Sequence, residues 1–204
     1  QAGTGHVAAL VGGRDSNVAM AFNRATRIRR QPGSVIKPVI AYAPALELCG
    51  YTAASMLLDE PTTFADYAPR NFNNKYYGWV TLREAVQRSL NVPAVKVLNE
   101  VGLGQGKAFA ESLGVSFDKT DTSLTLALGG FTYGVSPWQL AGAYAAFASE
   151  GVYDTPTVIR YITDAAGRVL YEYEPESNRV MSKENAYILT SMLESAIEEG
   201  TGRR

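Results

Sequence analysis

Apolar and polar positions along the 204-residue chain fall into short strand-like runs and longer runs of helical period. Val7 to Val11 is an apolar run closed by Gly12-Gly13, and Val18 to Phe22 follows across Asp15-Ser16-Asn17, which predicts an antiparallel hairpin. A helix is expected from Ser34 toward Leu48, stopping at Gly50. Pro38 and Pro44 lie inside it and predict an irregular first turn or a kink. Tyr51 to Gly78, rich in Pro, Asn, Asp and Tyr, reads as one long connection. Thr81-Leu82-Arg83-Glu84 has capping-box form and opens a helix toward Leu90. Pro93 suits the first position of a helix ending at Gly102, and a further helix lies between Gly106 and Gly114. Leu124 to Leu128 is apolar and broken by Gly129-Gly130. Ser136-Pro137-Trp138-Gln139 then opens a helix ending before Gly151, whose alanines (Ala141, Ala143, Ala145, Ala146, Ala148) predict close helix packing. Val158–Thr163 and Val169–Tyr173 form a second predicted hairpin, and Ser182 begins an amphipathic helix through Leu189, Met192 and Leu193 that Gly200 ends.

Composition narrows the classes. With 46% hydrophobic residues the chain can bury a sizeable core, and residues 1–204 are expected to form one domain or a large part of one. A net charge of −1 without long like-charge runs points away from nucleic acid; Arg24, Arg27, Arg29 and Arg30 read as a solvated connection. One cysteine, Cys49, rules out an internal disulfide and reads as a small buried hydrophobe. With a single histidine, His6, no metal or other cofactor is expected. No apolar run is long enough to span a bilayer, and the first residues do not form a signal peptide.

Candidate chemistry concentrates in Arg30-Gln31-Pro32-Gly33-Ser34-Val35-Ile36-Lys37-Pro38. Residues three apart on a helix share a face, so Lys37 can bring its amine to the Ser34 hydroxyl. A serine needs a neighbouring base, and a lysine serves as one only when desolvation or a nearby cation lowers its pKa. Val35, Ile36, Val39 and Ile40 are the expected apolar surroundings. A second S-x-x-K match, Ser116 to Lys119, lies in a polar stretch and reads as loop. Ser89-Leu90-Asn91 at a helix end adds a hydroxyl for proton relay and an amide for substrate; S-x-N alone is common, but following S-x-x-K and a long connection it is informative.

With those motifs in place, the chain resembles the transpeptidase domain of penicillin-binding proteins, most closely the bifunctional class A type. The likeness rests on Val11–Asp15, Phe22–Thr26, Arg30–Pro38, Pro69-Arg70-Asn71 leading to Gly78–Arg83, and Ser89-Leu90-Asn91. It continues through Ala127–Gly130, Gly134–Pro137, Ala143–Ala148 and Gly200–Arg203. The resemblance implies an α/β (α+β) fold, an antiparallel sheet edged by the Val7–Phe22 hairpin with a mainly helical subdomain. It implies Ser34 as nucleophile toward the D-Ala-D-Ala end of peptidoglycan stem peptides, Lys37 as its base and Ser89 as proton shuttle. Asn91 would orient the substrate amide, and the Ser34 N–H would be half of an oxyanion hole. β-Lactam antibiotics, as mimics of the terminal dipeptide, should acylate Ser34. The implied location is the extracytoplasmic face of the bacterial membrane, anchored by an upstream segment, with wall-synthesis proteins as possible partners.

Two departures qualify these expectations. No Lys-Thr-Gly occurs in the sequence, so the K-T-G strand is expected in a remaining C-terminal segment, with Arg203-Arg204 marking an exposed clipping site. The glycosyltransferase domain that precedes this one in class A members is likewise not among residues 1–204. Two alternatives stand beside the transpeptidase: a D,D-carboxypeptidase or β-lactamase-like hydrolase, and a non-catalytic binding scaffold. For the class A β-lactamase there is no E-x-x-L-N segment, since Val95 stands where the glutamate before Leu98-Asn99 would be.

Overall fold

The computed structural model describes residues 1–14, 20–65 and 67–203. Its centre is the rod that begins at Gly33. Gly33–Ile36 forms a 3₁₀ turn in which Lys37 N donates to Ser34 O, and Pro38–Tyr42 follows as a π-helical turn with Ala43 N donating to Pro38 O. Pro38 has no N–H to give a regular helix, so the widened turn is where its sequence forces irregularity. α1 (Ala43–Leu48) completes the rod with Pro44 at its start, and Gly50, at φ +67°, turns the chain out. The irregular first turn predicted from the two prolines is thus present.

Ile36, Val39, Ile40, Tyr42, Ala43 and Leu46 are all buried, and the rod forms the middle of the core. Val35, expected among the apolar surroundings, instead faces solvent at 49% exposure, because one residue in each turn must point away from the packed face. Cys49 is exposed as well, not a buried hydrophobe. It lies just past the end of α1, where Gly50 turns the chain toward solvent.

The expected long connection from Tyr51 to Gly78 is structured at both ends. β1 (Met56–Asp59) pairs antiparallel with β2 (Gly78–Thr81), so Leu57 and Val80 share the buried face and Leu58 and Trp79 the outer one. Thr81 caps α2 (Leu82–Gln87) through the predicted box, its hydroxyl accepting from Glu84 N and Glu84 Oε2 accepting from Thr81 N. α2 stops at Gln87, short of Leu90. α3 (Asn91–Val101) therefore begins two residues before Pro93, and α4 (Leu103–Ser112) follows.

Leu124–Leu128 forms a 3₁₀ turn against α3 and the rod, and Ser136 with Gln139 makes the second predicted capping box, opening α5 (Pro137–Ala148). In α5, Ala143 and Ala146 are buried, whereas Ala141 and Ala148 are exposed. Four further strands and a helix complete the described residues: β3 (Val152–Asp154) pairs with β6 (Ser177–Arg179), β4 (Tyr161–Thr163) with β5 (Val169–Glu172), and α6 (Lys183–Glu198) packs on α2 and α5.

The fold class is the expected mixed α/β one, with helices around small antiparallel sheets. The Val7–Val11 arm of the first hairpin is not a strand, although Val7 N bonds Thr157 O at 2.8 Å. Met20–Phe22 of the second arm is not one either, and Val18 and Ala19 lie outside the described residues. Val11 is 79% exposed and Phe22 53%, and a two-stranded ribbon with no sheet to cover it is marginal.

Candidate active site

The rod places Ser34 and Lys37 on opposite sides of one turn boundary. Ser34 is exposed and lines a cleft of about 560 Å³, together with Asn71, Phe72, Tyr77, Ser89, Asn91 and Glu199. Lys37 is 1% exposed beneath that cleft. Its amine donates to Ser89 O at 2.7 Å, to Asn91 Oδ1 at 2.7 Å and to Ser89 Oγ at 3.2 Å. Burial pushes the Lys37 pKa down to about 7, because the interior disfavours its charged form. The desolvation expected from the sequence is therefore present, and Ile36, Val39 and Ile40 on the same rod are fully buried.

Three of the four residues singled out from sequence are thus joined directly. Ser34 is not, for no hydrogen bond links its hydroxyl to the Lys37 amine, whose contacts run to the S-x-N turn instead. A neutral amine has two N–H bonds and one lone pair, so with three partners around Nζ the Ser89 hydroxyl becomes the donor when Lys37 is uncharged.

The S-x-N turn owes its shape to local backbone. Ser89 sits at φ +52°, an uncommon conformation for a residue with a Cβ, and this left-handed step swings both its carbonyl and its hydroxyl toward Lys37. Asn91 then opens α3. Its Nδ2 donates to Arg70 O at 2.7 Å, leaving one N–H of that amide for a cleft occupant.

The Ser34 turn is shaped by glycines from across the core. Gly129, at φ +87°, lies so close that a Cβ there would come within 2.3 Å of Gly33 N, and one at Gly134 within 2.2 Å of Arg30 C. Arg30 and Val135 also exchange backbone hydrogen bonds at 3.1 and 2.9 Å. On the outer side, the Tyr144 hydroxyl donates to Val35 O at 2.8 Å.

Sequence reasoning missed Asp59 as a member of this neighbourhood. Asp59 is fully buried and accepts from both the Asn71 amide and Tyr77 N. The only sequence signal was the Pro69-Arg70-Asn71 motif, read as pattern without a role. Ser116 and Lys119 lie in a loop as expected, Ser116 Oγ accepting from Arg29 and Gln139. Among the described residues no cluster of His, Cys, Asp and Glu is arranged to hold a metal, and no helix is long and apolar enough to cross a membrane.

A turn bearing an exposed serine, a buried lysine and an S-x-N turn meet at one cleft. Residues 1–204 match the family described as penicillin binding protein transpeptidase domain, and the chain belongs to it. It is 41% identical over 198 residues to penicillin-binding protein 1F of Bacillus subtilis, covering 97% of this chain and 27% of that protein. It superposes on the crystal structure of penicillin-binding protein 1A from Haemophilus influenzae with a TM-score of 0.82 and 30% identity, covering 95% of this chain and 34% of the other. Penicillin-binding protein A of M. tuberculosis, solved as an imipenem acyl-enzyme complex, shares the fold at a TM-score of 0.75 and 22% identity, over 85% of this chain and 45% of that one. The chain thus spans about a third or less of the curated relatives it matches.

Proposed function

We propose that the protein is a D,D-transpeptidase that cross-links peptidoglycan stem peptides through an acyl-enzyme on Ser34, and that β-lactams acylate the same serine. The observation that carries this reading is the Lys37 amine, buried, with its pKa brought down to about 7, and held by Ser89 and Asn91 one turn from an exposed serine in a chain of this family.

In the first half-reaction Ser34 Oγ attacks the carbonyl carbon between the two terminal D-alanines, and its proton passes to the Lys37 amine, whose lone pair is freed as the Ser89 hydroxyl turns its hydrogen away. The tetrahedral centre collapses with cleavage of the C–N bond. A proton returns through Ser89 to the departing nitrogen, releasing D-alanine and leaving an ester on Ser34. An amine from a neighbouring stem then attacks that ester, forms the cross-linking amide and restores the serine hydroxyl. Lys37, with its pKa near 7, is matched to both directions of proton transfer. The free N–H of Asn91 orients the substrate amide, and the Ser34 N–H stabilises the developing oxyanion.

The second oxyanion donor and the contacts to the substrate carboxylate belong in this reading to a K-T-G segment outside these residues. So does the anchor that would hold the protein at the outer face of the membrane, where stem peptides lie. The class A β-lactamase alternative is disfavoured by Val95, a fully buried aliphatic where the water-activating glutamate would stand, so the acyl-enzyme should be long-lived.

The test is to incubate the full-length protein with benzylpenicillin, denature it and weigh its proteolytic peptides. A penicilloyl adduct on the Ser34 peptide, absent from Ser34→Ala, is expected. A folded protein that acquires no adduct would sink the reading in favour of a binding scaffold.

A further inference from the structure

We propose that Asp59 and Asn71 form a buried positioning pair that holds the Ser89–Asn91 turn, and through it the Lys37 amine, in register with Ser34. The inference rests on the function proposed above and adds two residues to its site.

The starting point is a helix without its own cap. Leu90 occupies the N-cap position of α3 with no side-chain acceptor to offer, being turned into the core at 4% exposure. The first N–H groups of a helix need an acceptor. Asn71 supplies it from a separate loop, its Oδ1 accepting from Asn91 N at 2.8 Å and from Val92 N at 3.4 Å.

A carboxamide can flip and present its NH₂ instead, which would repel those N–H groups. Asp59 prevents this. Its carboxylate accepts from Asn71 Nδ2 at 3.0 and 2.8 Å, and Lys75 O takes the same group at 2.9 Å, so only one amide orientation satisfies both sides. Asp59 is itself anchored by Tyr77 N at 3.0 Å.

The pair acts on the chemistry through Asn91. That residue is gripped at its backbone by Asn71 and at its Nδ2 by the carbonyl of the adjacent Arg70, while its Oδ1 receives the Lys37 amine. An ordinary Ser or Asp at position 90 would cap α3 just as well. A buried carboxylate and carboxamide are therefore more than helix stability requires, and what they add is a fixed place for Asn91. Nearby charges are otherwise engaged: Lys96 donates to Leu58 O and faces Glu60, Arg88 stacks over Tyr77, and Glu199 accepts from Gln87.

The test compares Asp59→Asn and Asn71→Ala with Arg83→Ala, which removes the bonds from α2 to Ser191 and Ser195 of α6, away from the cleft. In the full-length protein, acylation at saturating benzylpenicillin should slow at least about 20-fold in the first two. The rising limb of its pH profile should also move down by about half a unit or more, because the acceptors that favour the lysine ammonium are released. Arg83→Ala should lose stability with the limb in place. Near-wild-type rates, or slowing with an unmoved limb, would overturn the proposal.

If Ser34 of the wild type takes no adduct, the functional reading fails, and amide exchange still reports on the pair. The Asn91 and Val92 amides should be protected in the wild type and lose protection in the Asp59 and Asn71 variants alone. Unchanged protection would refute the pair whatever the protein's activity.

Discussion

Burying the Lys37 amine lowers its pKa to about 7, and the same shift has a consequence for stability. The unfolded chain keeps that proton up to the ordinary lysine range, whereas the folded chain releases it near 7. Between those values the unfolded state binds more protons, so stability rises with pH, and below 7 the full cost of the buried charge is present. Denaturant unfolding should show this rise from about pH 7 to 9.5, with a slope approaching about 1.4 kcal/mol per pH unit from this one group. Lys37→Met should flatten it. Above about pH 10 the trend reverses, because burial raises the pKa of Tyr42 and pushes Tyr144 up to about 12. Ser89 offers a second test. Ser89→Ala removes the hydroxyl but keeps a Cβ at φ +52°, whereas Ser89→Gly removes both. Both should acylate about 100-fold more slowly or worse, yet the glycine variant should be the more stable by about 1 kcal/mol in thermal unfolding.

At the scale of elements, the turn bearing Ser34 is held by packing from the Leu124–Leu128 turn and its trailing glycines. Gly129→Ala would drive a methyl into the Gly33 backbone at 2.3 Å, so the turn bearing Ser34 must shift. A loss of at least about tenfold in acylation is expected, with about 1–3 kcal/mol of stability, read from adduct kinetics and unfolding midpoints. The elements legible in the sequence were those whose signals are local. Thr81 with Glu84, and Ser136 with Gln139, satisfy their own helix ends within four residues and appear in the structure as read. β1 and β3 were not legible, because each is three or four residues long and pairs with a strand about 20 residues away, leaving no turn signature between them. The site divides the same way. Ser34, Lys37, Ser89 and Asn91 carry their spacing in the sequence, whereas the roles of Asp59 and Asn71 exist only once β1 and the loop after it fold onto the start of α3.

Over the whole molecule, the site is carried by the helical core, and the β4–β5 hairpin stands apart from it. Every residue of β4 and β5 is exposed, including Tyr161, Ile162, Leu170 and Tyr171, while the rod, α2, α3 and α6 bury their apolar faces against one another. Besides its own ladder, the hairpin is tied by the Tyr173 bonds to Arg160 O and Thr155 O, none of which reaches the cleft. Folding free energy is concentrated where apolar area is buried, so a segment with so little burial contributes little to the global transition. Replacing residues 161–172 by a short Gly-Ser turn should therefore leave Ser34 acylation by benzylpenicillin within about twofold and the melting temperature within about 3 °C of the wild type. A large loss of acylation in a variant that melts normally would show that the hairpin communicates with the cleft, and would move it from appendage to part of the working enzyme.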